Sequence, residues 1–209
     1  MDLEMGFIAS EQDLIALQVR LLRHMFEHVR NACASALEMH GAQIPAITAI
    51  PQVTLEEAMR ILTRHCKWQP AAGTTDLDPE GERLLCDHFL RQEGSDLVYV
   101  TRYPRSTRPF YALPVEGTDL THSFDLLFRG LEITTGGQRI HRSGQLVESI
   151  AERGLDPCNF SDYLQCFRYG MPPHGGLAIG LERLAKQLLG LSNVKLAALF
   201  PRDRNRLTP

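Results

Sequence analysis

Lysine is scarce in this chain. Lys67, Lys186 and Lys195 are the only three among 22 basic residues, which we read as coding bias rather than function. No excess of positive charge is present either: the formal net charge is −3. That balance gives no general case for nucleic-acid binding, and any such surface has to be local. The five cysteines (Cys33, Cys66, Cys86, Cys158 and Cys166) are scattered and form no Cys-x-x-Cys pair. That argues against a zinc ribbon or a disulfide framework and fits a reducing cytosol. No apolar run approaches the ~20 residues that a membrane helix needs. The acidic opening Met1-Asp2-Leu3-Glu4 is no signal peptide. Internal repeats and low-complexity segments are also missing. What is there is ordinary: 209 residues, 44% hydrophobic and 22% charged, enough for one domain with a sizeable core. The expectation is a cytoplasmic protein with no membrane partner.

Periodicity and punctuation give the elements. A strand is expected over 2–8. Ser10, with Asp13 three positions on, opens a long helix whose stripe runs through Leu14, Leu17, Leu21, Met25 and Val29, broadened by Ile15, Leu22, Phe26 and Cys33. It is predicted to run to about His40 and to end at Gly41. Pro45 and Pro51 bracket a loop or a short extended piece. Thr54-Leu-Glu-Glu57 is a capping box for a helix to about His65, and Asp78-Pro79 opens another to about Gln92. Strands are expected at 96–101, 110–113, 123–129, 131–134 and 176–179. Helices are expected at 145–153, 161–167 and 181–189. Strands clustered between helices, with little βαβ alternation, point to α+β with a mostly antiparallel sheet.

Several residue groups could carry chemistry. His24-Met-Phe-Glu27-His28 puts two histidines on one helix face, as a zinc site would. No third ligand follows, so the plainer reading is a histidine pair beside the apolar stripe. The run Pro-Pro-His174-Gly175-Gly176-Leu-Ala-Ile-Gly180-Leu181-Glu182-Arg183 joins a glycine-lined segment to a helix start. Glycines let a backbone approach a ligand, and arginine both forks onto phosphate and stacks on flat rings. His174 could line a pocket or cap a turn. Upstream, Asp125 and Glu132-Ile-Thr-Thr135-Gly-Gly-Gln-Arg139 set carboxylates, a hydroxyl and a guanidinium close together. One carboxylate plus one hydroxyl suits magnesium, and a guanidinium suits bidentate capture of a carboxylate. Asp125 could support this group or sit on the surface. Arg202 and Arg206 are expected to hold the C-terminal segment to the domain.

These strings resemble the class II aminoacyl-tRNA synthetases. Residues 171–184 are similar to motif 3. Leu199-Phe-Pro-Arg202-Asp203-x-x-Arg206-Leu-Thr-Pro209 is similar to the C-terminus of the aspartyl enzymes, of the archaeal-like, non-discriminating type. Residues 123–141 are similar to the aspartyl-type signature before motif 3. Tyr103-Pro104 and Arg108-Pro109-Phe110-Tyr111 are similar to the strand pair flooring the same pocket. The resemblance runs from residue 1 to residue 209. It implies a class II catalytic domain, its C-terminal portion, with the antiparallel sheet incomplete on the N-terminal side. It implies that Arg183 and Glu132 act in catalysis and that Glu132, Gly180, Leu181, Glu182 and Arg183 bind ATP. It further implies that Thr135 and Arg139 bind L-aspartate and that Glu132 and Thr135 hold the magnesium accompanying ATP. The implied activity is aspartate activation to aspartyl-adenylate and transfer to tRNA, in homodimers.

The strand read at residues 2–8 matches the one just after motif 2 in the family, so motifs 1 and 2 and the anticodon-binding domain are expected to be missing from these 209 residues. Two alternatives remain: a tRNA-independent aspartate-activating ligase, or a non-catalytic fragment that binds ATP, aspartate or a partner. The resemblance predicts that the 209-residue chain alone fails aspartate-dependent ATP–pyrophosphate exchange, because it lacks the motif 2 arginine. Robust exchange by the purified chain would overturn that expectation.

Overall fold

The computed structural model describes residues 1–71 and 73–208; Pro209, the last residue of the C-terminal string, lies outside them. Six strands form one sheet: β1 (Asp2–Gly6), β2 (Gln52–Thr54), β3 (Leu97–Thr101), β4 (Ser123–Phe128), β5 (Leu131–Gln138) and β6 (His174–Ile179). Their order is β1-β6-β5-β4-β3-β2. All pairs are antiparallel except β2 with β3. Seven helices accompany them among the described residues: α1 (Glu11–Ala32), α2 (Ala34–His40), α3 (Leu55–His65), α4 (Pro79–Glu93), α5 (Ser143–Glu152), α6 (Ser161–Arg168) and α7 (Leu181–Leu189). The α+β reading holds. None of the helices is long and apolar enough to cross a membrane.

The capping signals work as chemistry requires. Ser10 and Asp13 cap α1 reciprocally, as Thr54 and Glu57 cap α3. Asp78 accepts from Gly81 N–H at 2.7 Å and also from Trp68 Nε1 at 3.0 Å, which anchors the start of α4. The long first helix, however, is broken at Cys33. No side chain from Glu27 to His40 is buried, so sheet packing does not hold the axis beyond Phe26, and Cys33 is exposed rather than part of the stripe. The expected strand at 110–113 and the strand pair around Tyr103 are also absent. Pro104, Pro109 and Pro114 lack N–H donors and interrupt any ladder. The segment forms a short 3₁₀ turn at Arg105–Thr107 and isolated bridges, Ala112 with Arg139 and Pro104 with Leu120. Conversely, the piece between Pro45 and Pro51 leads into β2, an edge strand.

The two faces of the sheet are covered unequally. One packs Tyr99, Phe124, Leu126, Phe128, Leu177 and Ile179 against α1 and Leu184 of α7. Buried Gln18 bridges α1 to the sheet, accepting from Tyr99 Oη at 2.9 Å and donating to Thr134 Oγ1 at 2.7 Å. On the other face α3 and α4 cover only the β3–β4 end, through Val98, Val100 and Leu127. A third cluster joins α5 and α6 to Phe110, Tyr111 and Leu113. Among the described residues no helix lies over the β5-β6-β1 portion of the second face.

Helix α4 grips the β4–β5 turn. Arg129 and Gly130 both have positive φ, 47° and 82°, as a two-residue hairpin of this hand requires. A Cβ on Gly130 would sit 3.0 Å from the Arg83 Cα, so the helix backbone packs directly on the turn. One residue earlier, Glu82 accepts the Glu132 N–H at 3.0 Å. Burial pushes the Glu82 carboxyl from 4.5 up to about 7, and the Glu132 and Asp125 charges add to the rise.

The C-terminal segment is tied down differently from the expectation. Lys195 pairs with Asp203, whereas Arg206 bonds only locally, to Thr208 O and Asp203 O, and Arg202 is exposed.

Two outcomes follow from the α4 contacts. Gly130→Ala places a side chain in left-handed backbone against Arg83 and is expected to cost about 1–3 kcal/mol. That lowers the melting midpoint by about 2–4 °C per kcal/mol in a chain of this size. Gly144→Ala, where a Cβ meets open space, is the control and leaves the midpoint unchanged or slightly raised; equal midpoints for the two variants would refute the close packing. Because the Glu82 carboxyl is raised, the native chain keeps a proton that the unfolded chain releases. Stability from this group therefore falls as pH rises from about 4.5 to about 7. Urea denaturation across that window is expected to show a flatter pH dependence for Glu82→Gln; coincident slopes would contradict the raised value.

Candidate functional site

The uncovered part of the sheet carries the sequence-selected residues because of an irregularity in β5. The ladder pairs Asp125 with Thr135 and Leu126 with Thr134, then Leu127 with Glu132. Ile133 is the extra residue of a β-bulge. Ile133 and Thr134 both face α1, the first in the apolar cluster and the second bonded to Gln18. Glu132 and Thr135, three positions apart, would lie on opposite faces of a regular strand. The bulge puts both on the open face, where the Thr135 hydroxyl favours the charged form of the Glu132 carboxyl.

Arg183 arrives from α7. Its Nη1 donates to Glu132 O at 2.7 Å and to Glu132 Oε1 at 3.0 Å. Gly180 N–H donates to Ile133 O at 2.8 Å, which locks the start of α7 onto the bulge. The Leu181 and Glu182 side chains are exposed, so these two positions bring the backbone of the first turn to the site rather than side-chain contacts. Burial raises the Glu132 carboxyl above its ordinary value and Asp125 raises it further, while Arg183 and Thr135 pull it down. This crowding of negative charge suits a cation. The donor set is small, one carboxylate and one hydroxyl, as magnesium prefers when phosphate and water complete its shell.

Asp125 is neither a surface residue nor a loose supporter. It forms a buried fork with Arg108, Nη1–Oδ1 3.0 Å and Nη2–Oδ2 2.5 Å. The Arg108 guanidinium also lies 3.6 Å from the centroid of the buried Tyr103 ring. This unit floors the site from the proline-broken loop.

Arg139 stands at the other end of β5. Its Nη2 lies 3.3 Å from Glu4 Oε1 and its guanidinium 4.7 Å from the Tyr111 ring. A cavity of about 320 Å³ is lined by Asp2, Glu4, Arg108, Tyr111, Thr135 and Arg139. Thr135 and Arg139 thus share one cavity, with the Glu132–Arg183 pair beside it. The two glycines of β6 let neighbouring protein groups approach closely. Gly176 lies under the Glu4 carboxylate, where a Cβ would come within 2.2 Å of it, and Gly175 packs against Leu14 and β5. His174 both closes a turn, its Nδ1 3.0 Å from Pro172 O, and lines a second cavity beyond Arg139 with Tyr163 and Phe167.

Sequence reasoning missed Asp2, Glu4 and Glu82, and pointed to Arg108 and Tyr111 only through the resemblance of the string that floors the pocket. The first two were findable: Asp2 and Glu4 alternate with Leu3 and Met5, so period two places both carboxylates on one face. Nothing in the sequence marks Arg108 as the partner of Asp125, 17 residues on. His24 and His28 stack on the exposed side of α1 at 6.4 Å, and no group of three metal-ligating side chains occurs among the described residues. A hollow of about 630 Å³ between the 113–118 loop and α5 contains none of the proposed site residues. Its wall mixes Arg105 and Arg142 with Glu116, Glu148 and Glu152.

Known proteins share this architecture. A family model described as tRNA synthetases class II (D, K and N) matches residues 1–204. The aspartate–tRNA(Asp/Asn) ligase of Thermus thermophilus is 53% identical over 211 residues, covering 100% of this chain and 49% of that protein. Its namesake from Deinococcus radiodurans is 51% identical over 216 residues, with the same coverage. Among solved structures, aspartyl-tRNA synthetase from Entamoeba histolytica superposes with a TM-score of 0.91 at 30% identity, over 100% of this chain and 44% of that one. Asparaginyl-tRNA synthetase from Pyrococcus horikoshii, complexed with asparaginyl-adenylate, gives 0.89 at 28% identity, over 100% and 48%. The chain spans about half the length of the curated relatives it matches. With nearly every residue inside the family model and the whole sheet superposing on solved synthetases, the chain belongs to the class II tRNA synthetases of the D, K and N group.

Proposed function

We propose that this chain forms the aspartate- and ATP-binding part of an aspartate–tRNA ligase. The observation that carries the reading is the open sheet face itself: the bulge in β5 aligns Arg139, Thr135 and Glu132 on one side, with Arg183 closing the row. Arg139 offers a planar fork to a small cavity, which suits the side-chain carboxylate of L-aspartate. A neutral carboxamide would gain less from that cation, so aspartate is favoured over asparagine. Asp2 and Glu4 in the same cavity supply acceptors for the substrate ammonium group.

ATP then lies along Glu132, Arg183 and the first turn of α7, whose free N–H groups and dipole favour phosphate. Glu132 and Thr135 would hold the magnesium that accompanies ATP; when bound, it supplies positive charge against the phosphates. The aspartate α-carboxylate attacks the α-phosphorus and pyrophosphate leaves, giving aspartyl-adenylate. The terminal ribose hydroxyl of tRNA next attacks the acyl carbon and releases AMP. For both steps these residues orient the reactants and neutralise charge rather than form bonds themselves. The complete enzyme would work in the cytoplasm, with a homodimer as the assembly the resemblance implies.

Calorimetric titration tests the division of the site. Arg139→Leu is expected to abolish aspartate binding and largely spare ATP, since stranding one member of a desolvated charge pair costs about 3–5 kcal/mol, more than a thousandfold in affinity at the upper end. Arg183→Ala is expected to weaken ATP and spare aspartate. Equal weakening of both ligands in both variants would sink the assignment.

A further inference from the structure

We propose that Glu82, on α4, is a positioning residue for Glu132, fixing the carboxylate that the reading above assigns to ATP and its metal. Glu82 Oε2 accepts the Glu132 backbone N–H at 3.0 Å. That bond falls one residue from the bulged Ile133, where a ladder is locally disrupted and backbone position is least well specified by the sheet. A hydrogen bond from outside the sheet therefore decides where the Glu132 Cα sits, and with it the reach of its carboxylate toward Thr135 and Arg183.

The helix bearing Glu82 is itself held firmly. Asp78 caps its first turn and is gripped by Trp68. Leu85, Cys86 and Phe89 are buried in the cluster beneath it. Arg83 packs on Gly130 through its Cα, Cβ and Cγ. Two contacts of α4, at Gly130 and at Glu132, thus bracket the start of β5. On the far side of the bulge Gly180 N–H holds Ile133 O. Glu132 is clamped between α4 and α7: Glu82 takes its N–H, while Arg183 Nη1 donates to its carbonyl at 2.7 Å.

The role requires an acceptor at this position, so glutamine should serve and an apolar residue should not. The test compares the 209-residue chain with Glu82→Gln and Glu82→Leu, and with Glu82→Ala should the leucine variant not fold. Two readouts are taken: hydrogen exchange of the Glu132 amide, and ATP affinity by calorimetry with and without magnesium chloride. In the leucine or alanine variant the amide is expected to exchange at least about tenfold faster, and the magnesium-linked gain in ATP affinity to fall about tenfold. Glutamine is expected to preserve both. Fast exchange with an unchanged magnesium effect would make the bond merely structural and overturn the proposal, as would a glutamine variant that behaves like leucine. A wild-type chain with no magnesium-linked ATP affinity overturns the proposed function and this inference with it. A normal wild type beside an unaltered leucine variant overturns the inference alone.

Discussion

The bulge at Ile133 is the constraint on which the site depends. A regular β5 would send Glu132 and Thr135 to opposite sides of the sheet, one of them into the apolar layer under α1. The extra residue costs a stretch of regular ladder, and the chain offsets that cost from outside the strand. Glu82 takes the Glu132 N–H, Gly180 donates to Ile133 O, and Gln18 bonds the Thr134 hydroxyl. Each partner comes from a different helix or helix start, so α1, α4 and α7 all act on a three-residue stretch of β5.

Charge on the open face obeys a similar economy. Asp2, Glu4, Asp125 and Glu132 would repel one another if left alone. Arg108 takes Asp125, Arg139 takes Glu4 and Arg183 takes Glu132. Burial separates these pairs in kind. The Arg108–Asp125 fork is almost wholly sealed over the Tyr103 ring, and breaking such a pair strands a charge. Its place is structural. The other two arginines keep solvent contact, so an anionic group could reach either. One face thus holds a sealed pair and two open to solvent.

The proline-rich loop between β3 and β4 shows why a strand pattern failed. Phe110-Tyr-Ala-Leu113 has the composition of a strand, and Tyr111 and Leu113 do bond to β5's end through Ile140 N–H and Gln138 O. Pro109 and Pro114 limit this to one bridge. The loop gains rigidity from side chains instead: Arg108 to Asp125, Ser149 Oγ to Phe110 O at 2.6 Å, and Phe110 against Phe160.

Elements whose signals are local were legible from the amino-acid order. The capping residues Ser10, Thr54 and Asp78, the strand over β4, the helix after Gly180 and the left-handed Gly41 all follow from propensity and hydrogen-bond chemistry within a few residues. The string from Asp125 to Arg139 and the Gly180–Arg183 step marked where chemistry would lie. The sequence by itself could not tell which face Glu132 would take, because a bulge arises from competition between β4, α1 and α4 for the same backbone. Nor could it pair Arg108 with Asp125, seat Glu4 over Gly176 or place Glu82 beneath Glu132, 50 residues away. Those contacts join segments distant along the chain, and only the packing of α4 and α7 against an already twisted sheet brings them within hydrogen-bond reach.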